Sequence, residues 1–232
     1  MNGIEIVGAG SHLPGEPVDN HALSRVMDTS DAWIAQRAGV RQRHFAAAGE
    51  GASDLAVPAA QAALRDAGLQ PEAVDYVIFA TMTPDQPIPG PGAMFAAKLG
   101  IAGVPTLDIR QQCAAVPFAV QIADALLKSG AASTVLFVAA ETHAGFMPWR
   151  DWQLLREGVG EVDPEDFARA TRHRGMAILF GDGAGALVLR RSERAEVGLL
   201  GVELCSDGQH ADALELRAGG FCQQPALSAE ML

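Results

Sequence analysis

The sequence predicts an α/β protein: a mixed, mostly parallel sheet with helices on both faces. Near-continuous apolar runs carry the first part of this reading. DYVIFATM (75–82), VPTLDI (104–109) and STVLFVAAE (133–141) suit strands buried on two sides rather than one. Capped helical stretches alternate with them, and the strand–helix–strand–helix–strand order is that of crossover units.

Along the chain, GIEIVGAG (3–10) reads as a strand entering a turn, and Asn20 as a cap for a short helix over 21–27. TSDAWIAQRAG (29–39) reads as a second helix, with Ser30 as N-cap and Gly39 just past its end. SDLAVPAAQAALRDAG (53–68) has a Ser/Asp start, an alanine-rich body and Gly68 as its stop; Pro58 falls near the first turn, where proline is best tolerated. PGAMFAAKLG (91–100) is a short helix. Residues 113–129 form a long helix, apolar on nearly every face and therefore expected to be buried. MAILFGDGAGALVLRR (176–191) reads as two strands around a glycine turn, and VGLLGVELCSDG (197–208) as one more strand. Residues 144–173, with two tryptophans and mixed charges, read as a loop with one or two short helices lying on the surface.

The 232 residues suffice for one large or two small domains, and 49% hydrophobic with 19% charged residues is the composition of a folded, soluble protein. Seventeen basic against 28 acidic residues, a net charge of −11, argue against general nucleic-acid binding, which needs a basic face. The N-terminus MNGIEIVGAG has no basic n-region, and no apolar run approaches the roughly 20 residues of a membrane helix. A cytoplasmic protein without membrane contact is expected. Cys113, Cys205 and Cys222 are too widely spaced for a disulfide framework or a zinc site, so no metal is expected. GDGAG (181–185) lacks the lysine and spacing of a phosphate loop, and GAGSHL (8–13) is only a partial dinucleotide fingerprint.

One cysteine has a telling position. In LDIRQQCAAVPFAVQIADALLKSG (107–130) a strand gives way to a helix at Cys113. A thiol there sits beside unpaired backbone N–H groups and the positive end of the helix dipole, which stabilise thiolate. The same N–H groups can serve as an oxyanion hole for a covalent intermediate. A packed, inert cysteine is the alternative on these residues alone.

The sequence resembles the 3-oxoacyl-(acyl-carrier-protein) synthase III family of thiolase-fold condensing enzymes. TSDAWIAQRAGVRQRH (29–44), DIRQQCAAVPFAVQIADALLKSG (108–130), RGMAILFGDGAGALVL (174–189) and SDGQHADAL (206–214) carry the resemblance, in the family's order. It implies the first half of a duplicated fold over residues 1–191, with an inserted segment at about 144–173, and the start of the second half at 192–232. It implies that Cys113 takes an acyl group from acyl-coenzyme A and condenses it with malonyl-coenzyme A or a malonyl-carrier protein. No resident cofactor is expected, coenzyme A being carried by the substrate. A homodimer is implied, completed by a C-terminal half that follows these residues in the family. Trp33 matches the position that stacks on the adenine of coenzyme A; Arg37 and Arg174 match positions near its phosphates. Ile88, in PDQPIPGPG, stands where the family often has an aromatic residue closing the acyl pocket across the dimer.

The family's histidine and asparagine lie downstream of the nucleophile. None of the six histidines here sits in a matching segment, and His143 reads as an ordinary loop residue. Gln111, Gln112 and Ala115 depart from the small residues and glycine usual around the nucleophile. The resemblance implies fatty-acid initiation or specialised metabolism, and these departures lean slightly toward the specialised branch that makes quinolones, polyketide starters or acyl esters. Acyl transfer without decarboxylation, and a non-catalytic half-fold paired with a second chain, are the alternatives. Segment 144–173, preceding Arg174, is expected to lie over the coenzyme A channel. The arginines at 190, 191 and 194 read as a solvated charge run rather than a carrier-protein patch.

Overall fold

The computed structural model describes residues 2–195, 198–199 and 201–215. Its elements are β1 (Asn2–His12), β2 (Val18–Asp19), α1 (Asn20–Leu23), α2 (Asp31–Ala38), β3 (Gln42–Arg43), α3 (Ala52–Asp66), β4 (Tyr76–Ala80) and α4 (Pro91–Leu99). They continue with β5 (Thr106–Ile109), α5 (Ala115–Ser129), β6 (Thr134–Glu141), α6 (Trp152–Glu157), α7 (Pro164–Arg172), α8 (Arg174–Ala177) and β7 (Gly183–Ala195). Residues up to Val202 form one compact unit; Glu203 begins another, whose described part holds a 3-10 turn at Gly208–His210.

The main sheet has the order β1-β7-β6-β4-β5. β4 pairs in parallel with β5 and β6, while β7 is antiparallel to both β6 and β1, so β7 alone runs against the other four. Side chains alternate across this sheet as the pleat requires. Val77, Phe79, Leu136 and Val138 pack with α3 and α4; Ile78, Ala80, Val135 and Phe137 pack with the buried stripe of α5. Helices thus cover both faces, as the apolar runs predict.

The helix starts follow local chemistry. The carboxylate of Asp19, not Asn20, caps α1 by accepting from Ala22 N at 2.7 Å. Ser30 caps α2 as expected, and Gly39 ends it in the left-handed region at φ +69°. In α3, Gly51 is the N-cap and the Asp54 carboxylate closes back on its N–H at 3.0 Å.

Gly8 and Gly10 in the GAGSH run are explained by packing, not by a nucleotide. A Cβ at Gly10 would stand 2.3 Å from the carbonyl oxygen of Ala59 and 2.4 Å from Ala63 N, both backbone of α3. We expect Gly10→Ala to lower stability by about 3 kcal/mol, the upper part of the overpacking range, because backbone cannot step aside. Urea denaturation checks this; a loss under ~1 kcal/mol would show that α3 shifts freely.

Three expectations are corrected. Residues 176–191 are not two strands: α8 comes first and a single strand follows, because Asp182 is tied into a loop by its own N–H to His44 O at 2.8 Å. The expected strand over 197–208 is absent where it is described, at 198–199 and 201–208; Val197 and Leu200 lie outside the described residues. The helix after Cys113 buries only the stripe Ala115, Ala119, Ala123 and Leu127, while Val116 stays 47% exposed. A four-residue spacing puts one stripe on the sheet, with Val120, Ile122 and Leu126 partly buried beside it and Val116 turned outward.

Segment 144–173 holds the two short helices expected, α6 and α7, but it does not simply lie on the surface. Trp149, Leu154, Leu155 and Ala170 are core residues, packed with Leu23, Met27, Ile34 and Phe45. Phe45, Trp149 and Trp152 meet pairwise edge-to-face, with centroids 5.2–5.7 Å apart. Each such contact contributes about 0.5–1.5 kcal/mol beyond area burial. Arg156 donates to the carbonyls of Phe45 and Ala46, and Arg25 to that of Leu155, which ties the segment to the N-terminal helices.

Candidate active site

β4, β5 and β6 are parallel, so the connections leaving their C-terminal ends open at one edge of the sheet, the usual place for a site in such folds. β7 starts at that edge, since Gly183 pairs with Glu141, and β1 ends there, since His12 pairs with Ala184. The edge gathers the 81–90 loop, the Cys113 turn and the 142–146 turn.

Two carboxylates hold the 81–90 loop. Glu141 accepts from the N–H groups of Met82 and Thr83 and from the hydroxyls of Thr81 and Thr83. Asp85 accepts from Ser53 Oγ at 2.6 Å and from Ser53 N, fastening the loop to the start of α3. Ile88 lies beyond these anchors and is 80% exposed.

Cys113 sits on a 3-10 turn, Gln112–Ala114, between β5 and α5, and is exposed with a free thiol. Gln112 before it has φ +44°, the one described non-glycine residue in the left-handed region. That conformation costs about 1–2 kcal/mol for a residue with a Cβ, and such strain gathers at functional turns. No side chain caps the first turn of α5, and no acidic residue stands in it. The N–H groups of Ala114 and Ala115 donate to the carbonyls of Gln111 and Gln112, and the positive end of the α5 dipole lies at the cysteine turn.

A second group forms around Trp33. The Arg37 guanidinium carbon lies 4.2 Å from the indole centroid and that of Arg174 lies 4.5 Å from it. Trp33 and Arg37 are four residues apart in α2, and the fold adds Arg174 from α8, far away in sequence. Arg174 also donates to the Asp28 backbone carbonyl and to Asp28 Oδ2 at 3.2 Å. Asp28 N in turn donates to Thr171 Oγ1 at 3.0 Å, placing the end of the 144–173 segment beside this group. Elsewhere α6, α7 and Val26 enclose a cleft of about 530 Å³ lined by Asp151, Glu161, Asp163 and Asp166 against Arg150. That charge balance repels an anionic nucleotide.

His143 differs from its sequence reading. It is buried, its ring stacked on Phe180 at 4.5 Å, and Nδ1 lies 2.8 Å from the Gly181 carbonyl oxygen. A carbonyl only accepts, so Nδ1 carries the proton; Nε2 is buried without a partner. Beside it, the Asp182 carboxylate accepts from the N–H groups of Ala46, His143 and Ala144 at 2.8, 2.6 and 3.2 Å. Burial raises the Asp182 pKa above the usual carboxylate range, against the lowering effect of these three bonds.

Sequence reasoning missed Asp28, Glu141 and Asp182. Each acts on backbone or on a residue distant in sequence. Asp182, between two glycines, had the only legible signal: an acidic residue inside an apolar stretch must find buried donors. Arg194 is paired with Glu5 at 2.8 Å. Among the described residues no group of three or more His, Cys, Asp or Glu could hold a metal ion, and no helix is long and apolar enough to cross a membrane.

Comparison with known proteins gives these features a class. Residues 107–157 and 161–208 match the sequence profile of 3-oxoacyl-(acyl-carrier-protein) synthase III. A β-ketoacyl-(acyl-carrier-protein) synthase III of Rhodospirillum centenum is 40% identical over 217 residues, which are 92% of this chain and 60% of the relative. The crystal structure of a 3-oxoacyl-(acyl carrier protein) synthase III from Pseudomonas aeruginosa superposes with a TM-score of 0.77 at 36% identity, over 93% of this chain and 61% of that one. The priming β-ketosynthase of a polyketide biosynthetic pathway superposes with a TM-score of 0.68 at 30% identity, over 83% and 55%. The fold is that of the α/β, thiolase-fold condensing enzymes. Within that class, the chain is similar in sequence to the 3-oxoacyl-(acyl-carrier-protein) synthase III family over 92% of its length. It spans about 60% of the length of the relatives it matches.

Proposed function

We propose that this chain carries the acyl-loading centre of a synthase III-type condensing enzyme, with Cys113 as nucleophile. The exposed thiol at an uncapped helix start, on the sheet edge where the parallel strands end, supports this reading most directly. Sγ attacks the carbonyl carbon of an acyl-coenzyme A, the carbon–sulfur bond to coenzyme A breaks, and the acyl group stays on Cys113 as a thioester while coenzyme A takes a proton. A malonyl thioester then loses carbon dioxide, and its carbanion displaces Cys113 from the acyl carbon. The groups that stabilise the enolate in this second step are assigned to no residue of this chain. In the loading step Trp33 supports the adenine of the donor, while Arg37 and Arg174 meet its phosphates. Ile88, on the loop clamped by Glu141 and Asp85, limits the acyl pocket from a partner subunit in a homodimer.

Incubation with a panel of acyl-coenzyme A thioesters, read by intact mass, tests the proposal. One acyl adduct per chain is expected, at Cys113 by peptide mapping; an adduct elsewhere, or none with any donor, would reject it. Carbon dioxide release from malonyl-coenzyme A separates condensation from simple acyl transfer. Trp33→Leu is expected to raise KM for the donor about tenfold with kcat little changed, the mark of lost uniform binding. An unchanged KM would remove Trp33 from the donor site.

A further inference from the structure

We propose that Asp28 gates the nucleotide seat: its carboxylate holds the Arg174 guanidinium over Trp33, and an adenine nucleotide must draw Arg174 away to stack there. This rests on the coenzyme A reading of Trp33 above. Stacked aromatic rings have centroids about 4.5 Å or more apart. The Arg174 guanidinium carbon already lies 4.5 Å from the Trp33 centroid, so guanidinium and base compete for one place.

The two arginines on the indole are not equivalent. Arg37 comes from the same helix, its Nη1 donates to the Trp33 carbonyl at 3.4 Å, and it has no carboxylate partner among the described residues. It can turn to a phosphate without breaking an ion pair. Arg174 is bound to both the backbone carbonyl and the carboxylate of Asp28. Asp28 is itself fixed by its N–H to Thr171 Oγ1, at the end of the 144–173 segment and three residues before Arg174. One short stretch therefore supplies both the anchor of Asp28 and the arginine that Asp28 holds.

The gate has a consequence for substrate choice. A thioester carried on coenzyme A must displace Arg174, and its phosphates then compensate by taking over the guanidinium. A pantetheine thioester without the nucleotide has no such exchange to make. Asp28 is thus a positioning residue that sets the balance between nucleotide-bearing and nucleotide-free donors. The Asp28 side chain is 74% exposed and that of Arg174 32%, so the ion pair is screened and the exchange is easy rather than prohibitive.

Calorimetric titration with adenosine 3′,5′-bisphosphate and, separately, with pantetheine tests the gate in the protein and in Asp28→Asn, Arg174→Ala, the double variant and Trp33→Leu. Asp28→Asn should bind the bisphosphate about two- to fivefold more tightly, the scale of a surface ion pair, and bind pantetheine unchanged. In the Arg174→Ala background the Asp28→Asn change should have no effect, because nothing remains to release. Equal bisphosphate affinity in the protein and Asp28→Asn overturns the gate. So does an Asp28→Asn effect that persists without Arg174, which would be plain charge repulsion. If the bisphosphate binds and Trp33→Leu weakens it while Asp28→Asn does not alter it, the gate falls and the nucleotide reading stands. If no variant binds it, or Trp33→Leu binds as well as the protein, the nucleotide reading falls and the gate with it.

Discussion

Cys113→Ala is expected to abolish the acyl adduct and lower turnover by at least about a thousandfold, as losses of a covalent nucleophile do. The turn that carries Cys113 gives this change a clean meaning. The residue is exposed and leaves no buried cavity when truncated. The neighbouring backbone is set by Gln112 at φ +44° and by Ala114 N donating to Gln111 O at 2.9 Å, neither of which involves the thiol. Thermal stability should stay within about 0.5 kcal/mol of the parent. Intact mass after acyl-coenzyme A incubation and a thermal melt form a paired measurement. An adduct surviving in a folded Cys113→Ala protein would place the nucleophile elsewhere.

The second large effect is on folding. Asp182→Ala removes the acceptor of the N–H groups of Ala46, His143 and Ala144, which have no other among the described residues, and leaves the first two buried. Each orphaned donor costs about 1–3 kcal/mol, and the sum is not additive; a loss of at least ~3 kcal/mol is expected. For a chain of this size that lowers Tm by roughly 6–12 °C. Asp182→Asn keeps an oxygen for His143 and Ala144 but turns an amide N–H₂ toward the Ala46 N–H, so a smaller loss follows. The pH dependence has an unusual sign. The Asp182 pKa is raised by burial, so the folded state holds the proton more tightly than the unfolded chain. Its contribution to stability is therefore greatest below the unfolded carboxylate value, about 3.9, and declines as pH rises through the folded value. The difference in stability between the protein and Asp182→Asn should shift in favour of Asn across that window. A difference that grows with pH in favour of Asp would show that the three N–H bonds outweigh desolvation.

Much of this was legible in the chain itself, and the reasons are local. Strands 75–82 and 133–141 are apolar on both faces, and only a sheet with two covered faces accommodates that; 104–109, expected to be buried in the same way, is instead the edge strand β5, with no fully buried residue and Asp108 exposed. Ser30 and Gly39 bound α2 because capping is decided within four residues. The strand–cysteine–helix order by itself places Cys113 at the turn into a helix, where the fold has it. What the tertiary structure decided depends on groups far apart in sequence. MAILFG (176–181) has strand-like residues, yet Met176 and Ala177 are helical, since the carboxylate of Asp182 must reach donors at 46, 143 and 144. Trp149 lies in a segment of mixed charge that periodicity reads as surface, and Phe45, a hundred residues earlier, makes it core. Arg174 and Trp33 become one shelf only when α8 lies against α2, and Asp28 gains its hold on Arg174 by the same packing. Patterns of period and capping are readable because their interactions span a few residues; the ties that assemble this site span from 32 to 146 residues, and only the folded chain brings them into contact.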